Sequence, residues 1–178
     1  MLRDIQWKDL TPTPVNLSGS AVGWGVNLSG NVKVSKHVAR VQAVYGNGIE
    51  NYMNDAPVDI GPENNFSNPL KPIAGKALPV LGLVAFMDFN WNKYFTSTAG
   101  YSLVQITNSN GSAPSDFHRG QYALANLLYY PVKNMFLGPE LQFGARDNWH
   151  DGFSSSDWRI QFSVKYNFKY QLGFGGSQ

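Results

Sequence analysis

Apolar and polar residues alternate without a break over residues 158–168 of this 178-residue chain. The even positions are apolar or aromatic and the odd positions are polar, a repeat that is typical of a β-strand with one apolar face. An ordinary soluble strand has about five or six residues, whereas a tilted strand that crosses a bilayer needs roughly 9–11. Aromatic residues stand at both ends of the apolar face, as they do where strands meet the two membrane interfaces. The stretch therefore predicts a membrane-spanning strand.

Similar patterns upstream predict seven further strands. Short turns near Ser35, Asn92 and Val132 alternate with long loops after Gly46, Asn108 and Asp147. Short turns at one rim and long loops at the other are typical of outer-membrane barrels, whose short turns lie in the periplasm. The predicted strands cover residues 2–10 (a weak or partial strand), 19–34, 38–45, 78–91, 94–107, 121–130 and 135–146.

These patterns predict an all-β fold of about eight antiparallel transmembrane strands over residues 1–170, followed by an unstructured tail at 171–178. The runner-up interpretation is a self-contained eight-stranded barrel with a structural, adhesive or small-ligand-binding role. The interior of so small a barrel is filled by side chains and conducts little.

Residues 46–75 form the one long segment without a strand pattern, and they are rich in Asn, Pro and Gly. A loop of this length in a compact domain is usually functional or mobile. Its acidic residues Asp55, Asp59 and Glu63 carry the hard oxygens that Ca²⁺ prefers, but a solvated acidic loop is the favoured interpretation. Because the segment also contains apolar residues, we expect part of it to fold inward or across the mouth of a pore. These apolar residues are Ile49, Met53, Val58, Ile60 and Phe66.

The composition agrees with a membrane barrel. Charged residues make up 15% of the chain, against roughly 25% in an average soluble domain, and aromatic residues reach 14%. A net charge of +2 without a basic cluster gives no case for nucleic-acid binding. The first residues do not resemble a signal peptide, so we expect either that a signal has been removed or that the chain begins within a longer protein.

No catalytic set can be assembled from the sequence, so an enzyme is not predicted. The chain has no cysteine, and its three histidines, His37, His118 and His150, lie in three separate connections. Neither a Gly-x-Ser-x-Gly elbow nor a phosphate-binding glycine loop is present. No metal and no cofactor are predicted.

Charged residues on the polar strand faces are the candidate functional residues. Rings of Arg and Lys favour anions in a pore, but the same charges could instead pair with each other across the strands, and the sequence leaves both possibilities open. Lys33 lies near a turn and is a weaker candidate. The predicted pore-lining residues are Arg40, Asp88, Glu140, Arg146, Arg159 and Lys165.

Several stretches resemble DcaP-like trimeric outer-membrane porins. They are residues 121–134, 138–148 and 151–154, which are similar to the closing strands of that family, and residues 51–61 and 75–82, which are similar to its long loop and following strand. The resemblance covers about residues 2 to 170.

The resemblance implies a sixteen-stranded barrel in the bacterial outer membrane, in contact with outer-membrane lipid and assembled as a homotrimer. It also implies passive diffusion of small solutes, often anionic or dicarboxylic. Family chains are over twice this length, so we expect this chain to be the C-terminal half of such a porin. They also end on the aromatic residue of the last strand, whereas residues 171–178 continue past it.

Overall fold

The computed structural model describes residues 1–11, 15–53 and 56–168. Its elements are β1 (Leu2–Trp7), β2 (Gly19–Val34), β3 (His37–Asn47), a 3-10 helix (Glu50–Tyr52), β4 (Ile60–Asn64), β5 (Ile73–Ala77), β6 (Pro79–Asn90), β7 (Phe95–Ile106), β8 (Phe117–Tyr129), β9 (Met135–Asn148) and β10 (Ser154–Tyr166). Eight strands form one antiparallel sheet in the order β1-β2-β3-β6-β7-β8-β9-β10, while β4 and β5 form a separate hairpin. The prediction of an all-β, antiparallel fold is confirmed.

One face of the large sheet carries an apolar band from β2 to β10. The strand register places Ile160 opposite Leu141, and Val41 opposite Ala85, so the apolar positions of neighbouring strands meet on one side. Many of these side chains are exposed, and Ile160 reaches 79%. Aromatic pairs lie toward both ends of the face, with Phe143 against Trp158 and Phe95 against Tyr129, at centroid distances of 4.8 and 5.1 Å. An exposed apolar band with aromatic borders is the outer surface that a lipid bilayer requires.

The two edges of the sheet are open in the described part of the chain. No ladder joins β1 to β10, and β1 pairs only with residues 19–24 of β2. The runner-up interpretation, a self-contained closed barrel, is therefore not what these strands form. Unpaired backbone groups cost several kcal/mol each in hydrocarbon, so further strands have to cover both edges in a bilayer.

Some predicted boundaries were wrong. The segment 46–75 is not wholly irregular, because it contains the 3-10 helix, β4 and the start of β5. Strand β8 begins at Phe117 rather than at residue 121, and β10 begins at Ser154 rather than at 158. These strand ends are polar and extend beyond the apolar band, so alternation does not reveal them. The predicted tail, 171–178, lies outside the described residues.

Within the ranges that the structure covers, no helix has the length and apolarity needed to span a membrane.

Candidate functional site

The polar face of the sheet lines an open cavity of about 1000 Å³. Side chains from β3 on one side to β10 on the other contribute to its lining, which shows that this face is concave. Alternation places all six predicted residues on the polar face of their strands, and the register aligns Arg40 with Phe86, and Gln142 with Arg159. The lining residues include Gln42, Tyr52, Met53, Ser102, Tyr122 and Arg146.

Asp88 is held by two donors on the polar face. The Nε of Arg40 donates to Asp88 Oδ2 at 2.7 Å, and the hydroxyl of Thr98 donates to Asp88 Oδ1 at 2.9 Å. For these two charged residues the structure supports the cross-strand pairing alternative.

Glu140 is held by amides instead of by a cation. Asn126 Nδ2 donates to Glu140 Oε2 at 3.2 Å, and Gln161 Nε2 donates to Glu140 Oε1 at 2.7 Å. Gln142 Nε2 donates to the same Oε1 atom. No cation neutralises the Glu140 carboxylate. The three neutral side chains around it limit how closely a passing ion can approach it.

The other three predicted cations form no ion pair with any carboxylate of the described chain. The Arg146 guanidinium lies 5.6 Å from the ring centroid of Phe117, and its Nε donates to Asn148 Oδ1 at 3.3 Å. Lys165 Nζ lies 6.0 Å from the ring centroid of Phe136. The ion pairs present among the described residues are Arg3–Asp59, Arg40–Asp88, Lys76–Glu63 and Arg119–Asp147.

The segment after β3, residues 48–53, folds against the concave face and is called the inward segment below. Ile49 is 3% exposed and packs in a buried cluster with Val80, Val104 and Ile106, which alternate with outward-facing residues of β6 and β7. Glycine at Gly82 leaves room for the segment, because a Cβ there would collide with the end of the Met53 side chain. The inward position agrees with the prediction made from the length and apolar residues of this loop.

Sequence reasoning did not single out the apolar residues beneath this segment. Strand β6 is apolar on both faces near Val80 and Val84, whereas the same strand is polar at Asp88 and Asn90. A strand with two apolar faces at only one end indicates that something covers it there, and this signal was present in the sequence.

Edge strand β1 anchors the inward segment. Arg3 Nη1 donates to Gly48 O at 3.3 Å and to Asp59 Oδ2 at 2.9 Å. The other oxygen of Asp59 accepts the backbone N–H of Asn51 at 2.9 Å. The indole of Trp7 lies where a Cβ at Gly75 of β5 would be, so the hairpin also rests on β1.

The three acidic residues considered for Ca²⁺ are not brought together in the described part of the loop. Asp59 pairs with Arg3, whereas Glu63 pairs with Lys76 at 2.9 Å, and Asp55 lies outside the described residues. Across the ranges that the structure covers, no group of three His, Asp or Glu side chains is placed to hold a metal ion. His37 accepts the backbone N–H of Asn90 at 3.1 Å, at the opposite end of the sheet from His118.

Glu50 is the unusual acid of this region. Its side chain is fully buried, and neither carboxylate oxygen has a hydrogen-bond partner in the described part of the chain. It lies in the connection between β3 and β6, outside the spanning strands. Burial raises the pKa of the Glu50 carboxyl to about 8, and the negative charge of Asp59 acts in the same direction.

Three features define the class of this protein: a concave polar face, an exposed apolar face, and short turns at one end of the sheet with longer connections at the other. Together they show that the sheet is part of the wall of a membrane β-barrel. No protein-family model and no curated protein matches the chain. Among solved structures, the chain is similar to the outer membrane channel DcaP of Acinetobacter baumannii, with a TM-score of 0.68 and 23% sequence identity. The match covers 85% of this chain and 42% of the channel chain, so this chain spans less than half of that length. The predicted resemblance is confirmed at the level of the fold.

Proposed function

We propose that this chain forms part of the wall of a porin in the bacterial outer membrane, through which small hydrophilic solutes diffuse passively. The polar concave face supplies the aqueous side and the apolar convex face contacts lipid. Its likeness in fold to an outer membrane channel supports this proposal. A homotrimer, as the family resemblance implies, is the proposed assembly.

We propose further that the pore prefers small anions. The observation that carries this proposal is that Arg146 and Arg159 lie on the polar face without a carboxylate partner in the described chain, while Asp88 and Glu140 are both engaged. A guanidinium can hold a carboxylate through two parallel hydrogen bonds. Protein around a narrow path lowers the effective dielectric constant and strengthens the action of a fixed charge on a passing ion. Dicarboxylates are proposed from the resemblance alone.

The test is the reversal potential in a salt gradient, measured for the full polypeptide that carries this sheet in a planar bilayer. Arg146→Ala and Arg159→Ala should each shift the reversal potential toward cations, and more strongly at low salt because screening is weaker there. Arg119→Ala is the matched control, since Arg119 pairs with Asp147 at 2.6 Å on the side of the sheet that Gln105 and Leu103 share. A cation-selective wild type, or variants that match the control, would refute the anion preference.

The inward segment is proposed to narrow the path. Deleting residues 54–64 removes Asp59 and with it the anchor to Arg3, so the single-channel conductance should rise. An unchanged conductance would place the loop outside the conducting path.

A further inference from the structure

The Glu50 side chain lies at the point where the inward segment leaves the barrel wall. Its neighbour Ile49 packs on β6 and β7, and the N–H of Met53 donates to Glu50 O at 2.8 Å. Glu50 is therefore part of the short helical turn that holds Tyr52 and Met53 over the cavity. Any change that expels its side chain from the wall also moves this turn.

The surroundings of Glu50 on balance disfavour a negative charge: the nearby backbone N–H groups of Glu50 and Ile49 favour the charged form, but burial and Asp59 outweigh them. Among the described residues, the charged side chain that faces it is Asp59, another acid. Arg3, the cation that pairs with Asp59, is committed to Asp59 Oδ2 and to Gly48 O. From the sheet, Val80, Val104 and Ile106 contribute only apolar side chains to the cluster that holds the segment. An ionised carboxylate without partners in such a place is costly, whereas a neutral carboxyl is tolerated.

We propose that Glu50 is a proton-operated latch: its neutral form keeps residues 48–53 against the concave face, and its ionised form releases them. The part that moves is a segment of this chain and not a separate ligand. The movement is inferred from the position of this segment in the structure, and only its effect on solute passage rests on the proposed function.

The direction of the pH dependence follows from the burial of the carboxyl. In the inward position the pKa of Glu50 is raised from 4.5 to about 8, chiefly by burial. Once released into water, the carboxyl returns toward its ordinary value, so the inward position binds the proton more tightly. The ratio of inward to released molecules is highest below about pH 4.5. Between about pH 4.5 and about pH 8 this ratio falls about tenfold for each pH unit, and above about pH 8 it no longer changes.

A distance measurement tests the latch directly. These 178 residues contain no cysteine, so Asn51→Cys and Ser155→Cys introduce the two spin-label sites of this chain, the first on the exposed side of the turn and the second on β10 across the cavity, and any cysteine elsewhere in the polypeptide is replaced by serine. The full polypeptide is labelled, reconstituted in bilayers and examined by pulsed electron paramagnetic resonance from pH 4 to pH 9. We expect a single short distance at low pH that is replaced by a longer, broader distribution as the pH rises.

Two variants of Glu50 and one control identify the titrating group. Glu50→Gln and Glu50→Met remove the charge with polar and apolar side chains of similar length, so both should keep the short distance up to pH 9. Glu63→Gln is the control, because Glu63 is exposed and pairs with Lys76 in the same loop, and it should titrate like the wild type. A pH-independent distance in the wild type, or a pH dependence that survives in both Glu50 variants, would overturn the latch. The reversal-potential test has a different readout, so each proposal can fail without the other.

Discussion

Replacing Ile49 with Ala should release the inward segment while leaving the sheet intact. The Ile49 side chain is 3% exposed and packs on Val80, Val104 and Ile106. The change deletes three carbon atoms, worth about 2.4 kcal/mol at about 0.8 kcal/mol each, and it leaves a cavity beside rigid strands. A loss of about 3 kcal/mol is expected, which lies within the usual range of about 2–5 kcal/mol for such changes.

Hydrogen exchange measures this loss locally. Three amides report on the docked segment: Gly48 N donates to Leu78 O at 2.8 Å, Met53 N donates to Glu50 O at 2.8 Å, and Leu78 N donates to Asp59 O at 3.1 Å. A loss of about 3 kcal/mol corresponds to roughly 150-fold faster exchange at these amides. The amides that join β9 to β10 lie outside the segment and should exchange as before.

Ile73→Ala is the matched control for Ile49→Ala. Ile73 lies on β5 of the same connection and is 39% exposed, so the same deletion should cost about 1.5 kcal/mol and accelerate exchange only about tenfold. Equal effects of the two substitutions, or exchange that rises equally in β9 and β10, would refute the argument that Ile49 docks an independent segment.

Two further pairs of substitutions test the wall itself. Phe162→Arg places a charge near the middle of the lipid-facing side of β10 and should lower the free energy of unfolding, measured with urea in vesicles, by about 2–4 kcal/mol. Trp158→Arg lies nearer the interface and should lower it less. Equal losses would contradict the assignment of this face to lipid. Gly138→Ala should destabilise the sheet by about 1–3 kcal/mol in the same assay, because its Cβ would overlap the backbone carbonyl of Leu127. Gly144→Ala meets no atom within 4 Å and should be nearly neutral, so a similar loss in both glycine variants would refute the steric account.

Most of the wall strands could be predicted from the sequence because they obey a local rule. Lipid on one face and water on the other impose a repeat of two residues, and this repeat is clear in β10 and in the second half of β2. The hairpin β4–β5 follows no such rule, since Gly61 and Pro62 in β4 and Gly75 in β5 interrupt any alternation. Its strands are held by contacts with distant parts of the chain, which a local pattern does not contain.

The charge pattern of the wall was predictable only in part. Alternation placed Arg40 and Arg146 on the polar face, but only the structure shows that the first pairs with Asp88 and that the second forms no ion pair within the described chain. Register depends on the turns and on neighbouring strands, so the sequence could not choose between pairing and free charge. The burial of Glu50 was equally hidden, because it depends on where the loop docks.

The anchoring of the loop to β1 couples the position of the loop to the order of assembly. Arg3 and Trp7 belong to an edge strand, whose contacts are made late if the sheet grows from its interior hairpins. Until β1 has joined β2, the segment after β3 lacks its partners Arg3 at Asp59 and Trp7 at Gly75. A folding intermediate in which β1 has not yet joined β2 keeps the contacts of Ile49 with β6 and β7 but lacks these two anchors, so the segment is held less firmly over the concave face until β1 is in place.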